Sequence, residues 1–155
     1  MNTLISVMIL GSALALLASA IKHVPAGQVY SLHRLGKPAR LLQPGVHMVM
    51  PLLERVAHKI NLAGQVLRLE ESMADNAHDV RGTVYWQVLE PERADAVIDQ
   101  VDQLIRRGAI AAMHDEPQAG EAADRRVLGT RMKLALNSAL RERGMMVTRV
   151  DLDLA

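Results

Sequence analysis

The chain has 155 residues, carries 18 Lys+Arg against 17 Asp+Glu, and contains neither Cys nor Phe. Near-neutrality removes the global positive field that nucleic-acid binders carry. The absence of Cys removes disulfides, thiol catalysis, Cys metal sites and palmitoylation, and a core without Phe has to be built from Leu, Val, Ile, Met and Ala.

The first element is an apolar run with no charge from Leu4 to Ile21, closed by Lys22 and His23. As a helix rising ~1.5 Å per residue it reaches about 27 Å, close to the hydrocarbon thickness of a bilayer, where only helix satisfies the backbone of a single segment. Residues 1–22 are therefore expected to be a transmembrane anchor, its apolar residues being Leu4, Ile5, Val7, Ile9, Leu10, Leu14, Leu16, Leu17 and Ile21. Gly11, Ala15 and Ser19 fall four apart, a spacing that lets anchors pack together and that an Ala-rich helix also produces by chance.

Two fates are open for this segment. Ala18-Ser19-Ala20 is an A-x-A sequence after an apolar run, and cleavage after Ala20 would release a soluble exported protein-binding domain. Against cleavage, Met1-Asn2-Thr3 has no basic residue, and the positive charge comes after the run, at Lys22, Arg34, Lys37 and Arg40. By the positive-inside rule this predicts a retained single-pass anchor in the plasma (inner) membrane with the domain on the cytoplasmic side. Residues 23–155 are expected to form one α+β domain, since their length suits one core better than two.

Val24-Pro25-Ala26-Gly27 reads as a turn that ends the helix. Gln28–Leu35 alternates, with Val29, Ser31, His33 and Leu35 on one face, and Gly36-Lys37-Pro38 turns it into Ala39–Leu42, a β-hairpin. After Gln43-Pro44-Gly45 comes Val46–Leu53, an apolar run broken by Pro51, which excludes a central strand. It is either a core segment crossing under the sheet or a membrane-proximal loop of Pro44, Gly45, Met48, Val49, Met50, Pro51, Leu52 and Leu53 that dips into lipid, with Arg55 and Lys59 meeting head groups. Before residue 60 the cations Lys22, Arg34, Lys37, Arg40, Arg55 and Lys59 face a single acid, Glu54.

Strands are expected over Val56–Asn61 and Gln65–Glu71, then a polar stretch over Ser72–Ala77, then a strand over Asp79–Val88 with Val80, Gly82, Val84, Trp86 and Val88 on its core face. Glu90-Pro91-Glu92 opens a helix, with Pro91 where its missing N–H is harmless. A loop is expected over Asp115–Gly120. From Ala122 to Arg143, Leu128, Met132, Leu136 and Leu140 recur every four residues with Ala135 and Ala139 beside them, and Gly144 occupies a C-cap position.

No catalytic constellation is found. The six histidines are never closer than ten positions, and Walker A, nucleophile-elbow and dinucleotide-binding turns are absent, so no catalytic residue, cofactor or metal is expected. His47 and Trp86 read as structural residues.

The order of segments resembles the stomatin, prohibitin and flotillin family, the SPFH or band 7 domain. Its V-P-x-G turn corresponds to Val24, Pro25 and Gly27, and its R-x-G-K turn to Arg34, Gly36 and Lys37. Its L-x-P-G-x-H-x-x-x-P matches Leu42, Pro44, Gly45, His47 and Pro51; its V-Y-W-x-V-x-x-P junction matches Val84, Tyr85, Trp86, Val88 and Pro91. The terminal V-T-R-V-x-L is Val147, Thr148, Arg149, Val150 and Leu152. The resemblance implies an anchor followed by antiparallel sheet and packed helices. It also implies a non-catalytic scaffold that binds membrane lipid, forms homo-oligomers, and organises or regulates a membrane protease or channel in protein quality control. Such proteins usually continue into a long charged coiled-coil helix, whereas this sequence stops at Ala155, so a short member without that helix is expected.

Overall fold

The computed structural model describes residues 2–72, 79–114 and 122–154. The expected polar stretch after Ser72 and the expected loop over 115–120 lie outside the described residues. Among those described, the elements in order are α1 (Asn2–Ala20), β1 (Ile21–Val24), β2 (Gln28–Arg34), β3 (Lys37–Leu42), β4 (Gly45–Met48), β5 (Glu54–Asn61), β6 (Gln65–Ser72), β7 (Asp79–Val88), α2 (Pro91–Ala94), a 3-10 turn (Ile98–Gln100), α3 (Val101–His114), α4 (Ala122–Arg141) and β8 (Met145–Leu154). The chain divides after Asn61 into two compact units.

The first unit begins with α1, whose side chains are exposed from Thr3 to Ser19; only Ala20 is buried. The helix ends at Ala20, not at the Val24–Gly27 turn, because Ile21–Val24 pairs antiparallel with Gly45–Met48. Ile21, expected in the anchor helix, is therefore the first residue of β1. β2 lies between β3 and β5 in a three-stranded antiparallel sheet. Register shifts near Ser31, Leu32 and His33 break the strict alternation expected of β2, so Ser31 and Leu32 are both buried. Val24, Leu32, Leu42 and Val49 form the core of this unit, with Tyr30 and Val56 at its margin.

The second unit is an antiparallel sheet in the order β6-β7-β8 with α4 packed on β8 and α3 packed on α4. β7 has the expected bounds, and Gly82, Val84, Trp86 and Val88 are buried. Leu128, Met132, Leu136 and Leu140 line the buried face of α4, whereas Ala135 and Ala139, about 100° further round the helix from Leu134 and Ser138, are exposed. Gly108 of α3 sits so close to α4 that an added Cβ would stand 2.7 Å from Leu136 Cδ2. Asn137, buried, clamps β8: its Nδ2 donates to Val147 O at 3.0 Å and its Oδ1 accepts from Val147 N at 2.8 Å. Gly144 adopts φ +70° after α4, and its carbonyl accepts from Leu89 N and Glu90 N, both at 2.9 Å. A side chain there would meet Glu90 O at 2.5 Å, so glycine is required both by backbone conformation and by space.

Candidate functional site

The end of the β3-β2-β5 sheet nearest the hairpin turn gathers charge at its centre and apolar side chains at its rim. Glu54 opens β5 directly opposite Arg34 at the end of β2. Its side chain is only 3% exposed, and a carboxylate so enclosed has to be paired. Arg34 Nη2 donates to Oε1 at 2.7 Å, Arg40 Nη2 lies 3.3 Å from Oε2, and Met50 N donates to Oε2 at 3.2 Å. The Met50 amide bond and the two guanidinium groups hold the Glu54 carboxyl below its usual range, against the opposing effect of burial. Arg40 Nη2 also donates to Met48 O at 2.8 Å, while Glu54 N and Leu53 N donate to Met50 O at 2.8 and 3.1 Å. The segment from Met48 to Glu54 is thus tied by both its backbone and the buried acid.

Around this cluster stand exposed apolar side chains: Met48 72%, Met50 56%, Leu52 84% and Leu53 45%. Val49 alone of the expected loop is buried among the core residues, so the segment is an exposed rim and not a crossing under the sheet. Pro44 precedes β4, Gly45 begins it, and Pro51 is exposed within the turn. Leu35 joins the rim at the tip of the β2–β3 hairpin, 82% exposed. Leu35 and Gly36 have φ of +51° and +80°, the two positive values of a type I′ turn, in which Asn-Gly is the favoured pair. A leucine in this left-handed position costs roughly 1–2 kcal/mol relative to an ordinary backbone conformation.

This rim lies at the C-terminal end of α1. Ile21 pairs with Met48, and Val49 N donates to Ala20 O at 2.8 Å, so the last helical residue and the beginning of the apolar turn are hydrogen-bonded neighbours. Thr3–Ala20 is long and apolar enough to cross a membrane. The small residues Gly11, Ala15 and Ser19 are exposed on it, and Ser19 Oγ donates to Leu16 O at 2.8 Å, which leaves no unpaired hydroxyl on that stripe.

Of the two cations expected at head-group level, Arg55 adjoins Glu54, but Lys59 does not reach the rim. Lys59 pairs with Tyr30 in mid-sheet, about 17 Å along the strand at ~3.4 Å per residue, and its Nζ lies 5.4 Å from the Tyr30 ring centroid. The β2–β5 pairing also brings His33 and His58 together edge-to-face, ring centroids 5.6 Å apart, although they are far apart in sequence. As a pair they supply two of the three or four ligands that a zinc-type site requires. His47 is structural, its Nε2 donating to Gln43 O at 2.7 Å.

A family model for the SPFH domain / Band 7 family matches residues 22–153. The chain belongs to the SPFH domain / Band 7 family. Rat stomatin-like protein 2, mitochondrial, is 26% identical to it over 129 residues, covering 81% of this chain and 33% of the relative. The Caenorhabditis elegans stomatin-like protein stl-1 is 22% identical over 144 residues, covering 86% of this chain and 44% of the relative. An uncharacterized protein of Schizosaccharomyces pombe is 29% identical over 100 residues, covering 62% of this chain and 28% of the relative. The chain thus spans less than half the length of these curated relatives. In this SPFH protein the matched region begins at Lys22, just past α1, and takes in both the rim and the Glu54 cluster.

Neither motif nor periodicity marks Arg34, Arg40 and Leu35 as a site, although Arg34 stands in the R-x-G-K turn. The signal that pointed toward them was the charge count: one acid, Glu54, among six cations before residue 60. Leu35 is visible as a large apolar residue in the slot before the turn glycine, where a hairpin ordinarily places Asn or Asp.

Proposed function

We propose that the chain is a membrane-anchored, non-catalytic scaffold, with residues 1–22 as a retained single-pass anchor and 23–155 as its SPFH portion. The observation that carries this reading is the Val49 N to Ala20 O bond, which sets the exposed apolar rim at the foot of the apolar helix. A spanning α1 would place Ala20 at the membrane interface, and Met50, Leu52, Leu53 and Leu35 would then enter the headgroup and acyl boundary instead of facing water. Leu35 in a strained backbone position and a greasy turn held from beneath by a buried ion cluster are costs that a purely soluble domain has no reason to carry.

The membrane proposed is the plasma (inner) membrane, and a cytoplasmic orientation of the domain is supported by Lys22, Arg34, Lys37 and Arg40 following the helix. Self-association is supported by the family, and confinement of domains to two dimensions makes weak contacts effective. A membrane protease or channel is the class of client implied. The chain is expected to stay with vesicles through an alkaline wash and to appear at its full mass of 17.0 kDa. A polypeptide stripped by the wash, or a mature mass starting at Ile21, would replace this reading with an exported soluble domain. Crosslinking in native membranes is expected to give homo-oligomers that vanish when residues 2–21 are removed; their persistence in solution would show that the anchor does not drive assembly.

A further inference from the structure

We propose that Arg34 and Arg40 form a binding site for the phosphate of an anionic phospholipid, with the apolar part of the lipid lying against Met48 and Met50. The inference rests on the membrane-docked reading above and adds the headgroup class. The cluster holds two guanidinium groups and one carboxylate, an excess of one positive charge, and Lys37 faces Arg34 across the hairpin. Among the described residues both arginines are bonded through Nη2 alone, so the Nε and Nη1 donors of each stay available for the forked contacts that guanidinium makes with phosphate. Their side chains are 51% and 48% exposed. The acid beneath fixes their direction, which reduces the rotamer freedom lost when an anion is bound.

The two arginines open onto a concavity of about 400 Å³ whose other walls are Ala39, Met48, Val49, Met50 and Glu54. A soluble phosphate would use the cations and gain nothing from the methionines. A phospholipid would use both, and the charge sign excludes preference for a zwitterionic headgroup, whose choline cation would meet Arg34 and Arg40 unfavourably.

The test is native mass spectrometry of the full chain in non-ionic detergent, offered equal amounts of phosphatidylglycerol and phosphatidylcholine with matched acyl chains. Preferential retention of phosphatidylglycerol is expected. Arg40→Gln should lower that preference about fivefold, the effect of removing one basic residue near an anionic headgroup. Arg40→Lys, which keeps the charge, should retain part of the preference that Arg40→Gln loses, a rescue that loss of a merely structural contact does not predict. Equal retention of the two lipids by the unaltered chain overturns the proposal without recourse to any variant. Displacement of bound lipid by excess inorganic phosphate would reassign the site to a soluble anion. If the chain withstands alkaline washing but shows no headgroup preference, this site falls and the anchor stands; a chain that washes off sinks the anchor itself.

Discussion

In the second unit Met132, Leu136, Leu140 and Met145 are 0–2% exposed, whereas in the first unit Leu35, Met48 and Leu52 are 72–84% exposed. The buried polar groups at the two places also differ: Asn137, on the inner face of α4, is neutral and bonds the N–H and carbonyl of Val147, while Glu54 beneath the rim is charged and is bonded to two cations and a backbone amide. The α4–β8 region follows the ordinary logic of a water-soluble core, and the rim inverts it. The same side-chain types therefore bear on different things: stability where they are buried, and, in the proposed membrane-docked reading, contact with lipid at the rim.

The largest effects that test this comparison are expected in the core. Leu140→Ala, at a site 1% exposed, should cost about 2–5 kcal/mol of folding stability through lost transfer energy and an unfilled cavity. Leu52→Ser, at a site 84% exposed, should change stability within about 0.5 kcal/mol while weakening retention of the rim on vesicles. Denaturant midpoints of the two variants measure the contrast directly; equal losses would mean that Leu52 is packed in the native state. Next in size is Asn137→Ala, which leaves Val147 N and O without their side-chain partner at a buried position and should cost about 1–3 kcal/mol. Hydrogen exchange at Val147 should rise with it, since that amide loses its acceptor.

A pH dependence follows for the rim and not for Asn137. The folded carboxyl of Glu54 is held below its ordinary value of 4.5, so its stabilising contribution is complete above that value and is lost as pH falls through the lowered folded one. Acidification below about pH 4.5 should therefore loosen the Met50–Glu54 segment before the α4–β8 region. Site-resolved amide exchange across a pH series would show it, and Glu54→Gln should remove this dependence. A segment equally protected on both sides of that range would mean that the Arg34 and Arg40 contacts are immaterial to its order.

How much of this was readable from the sequence depends on whether the information is local. The hairpin turns at Leu35-Gly36 and not over the expected Gly36-Lys37-Pro38, Lys37 and Pro38 opening β3, whereas β7 and the Leu128–Leu140 stripe each repeat with a strand or helix period and fall where their residues predict. β1 did not, because Ile21–Val24 has no period of its own and becomes a strand only through Gly45–Met48, more than twenty residues later. The Glu54 cluster is similarly non-local, joining residues from β2, β3 and β5. For Val46–Leu53 composition left two environments open, buried core or lipid, since both favour Met and Leu; exposure separates Val49 from its neighbours. Ala135 and Ala139, expected beside the buried stripe, are exposed, alanine being as acceptable on an exposed helix face as on a buried one.

The smallest expected effect bears most directly on why the rim exists. Leu35 occupies a left-handed position at the hairpin tip with its side chain 82% exposed, so it contributes little packing to the fold and carries conformational strain. Leu35→Gly should relieve that strain and, after the greater freedom that glycine gains in the unfolded chain is deducted, stabilise the protein by up to about 1 kcal/mol. The same variant removes an apolar side chain from the edge proposed to face the bilayer, and should bind vesicles less deeply, measured as reduced quenching of a probe placed at Lys37 by lipid-borne quenchers. A gain in folding midpoint together with a loss of quenching would mean that the leucine is retained for contact outside the protein. A loss of stability in Leu35→Gly would instead make Leu35 a packing residue, and the rim would have to be redrawn around Met50, Leu52 and Leu53 alone.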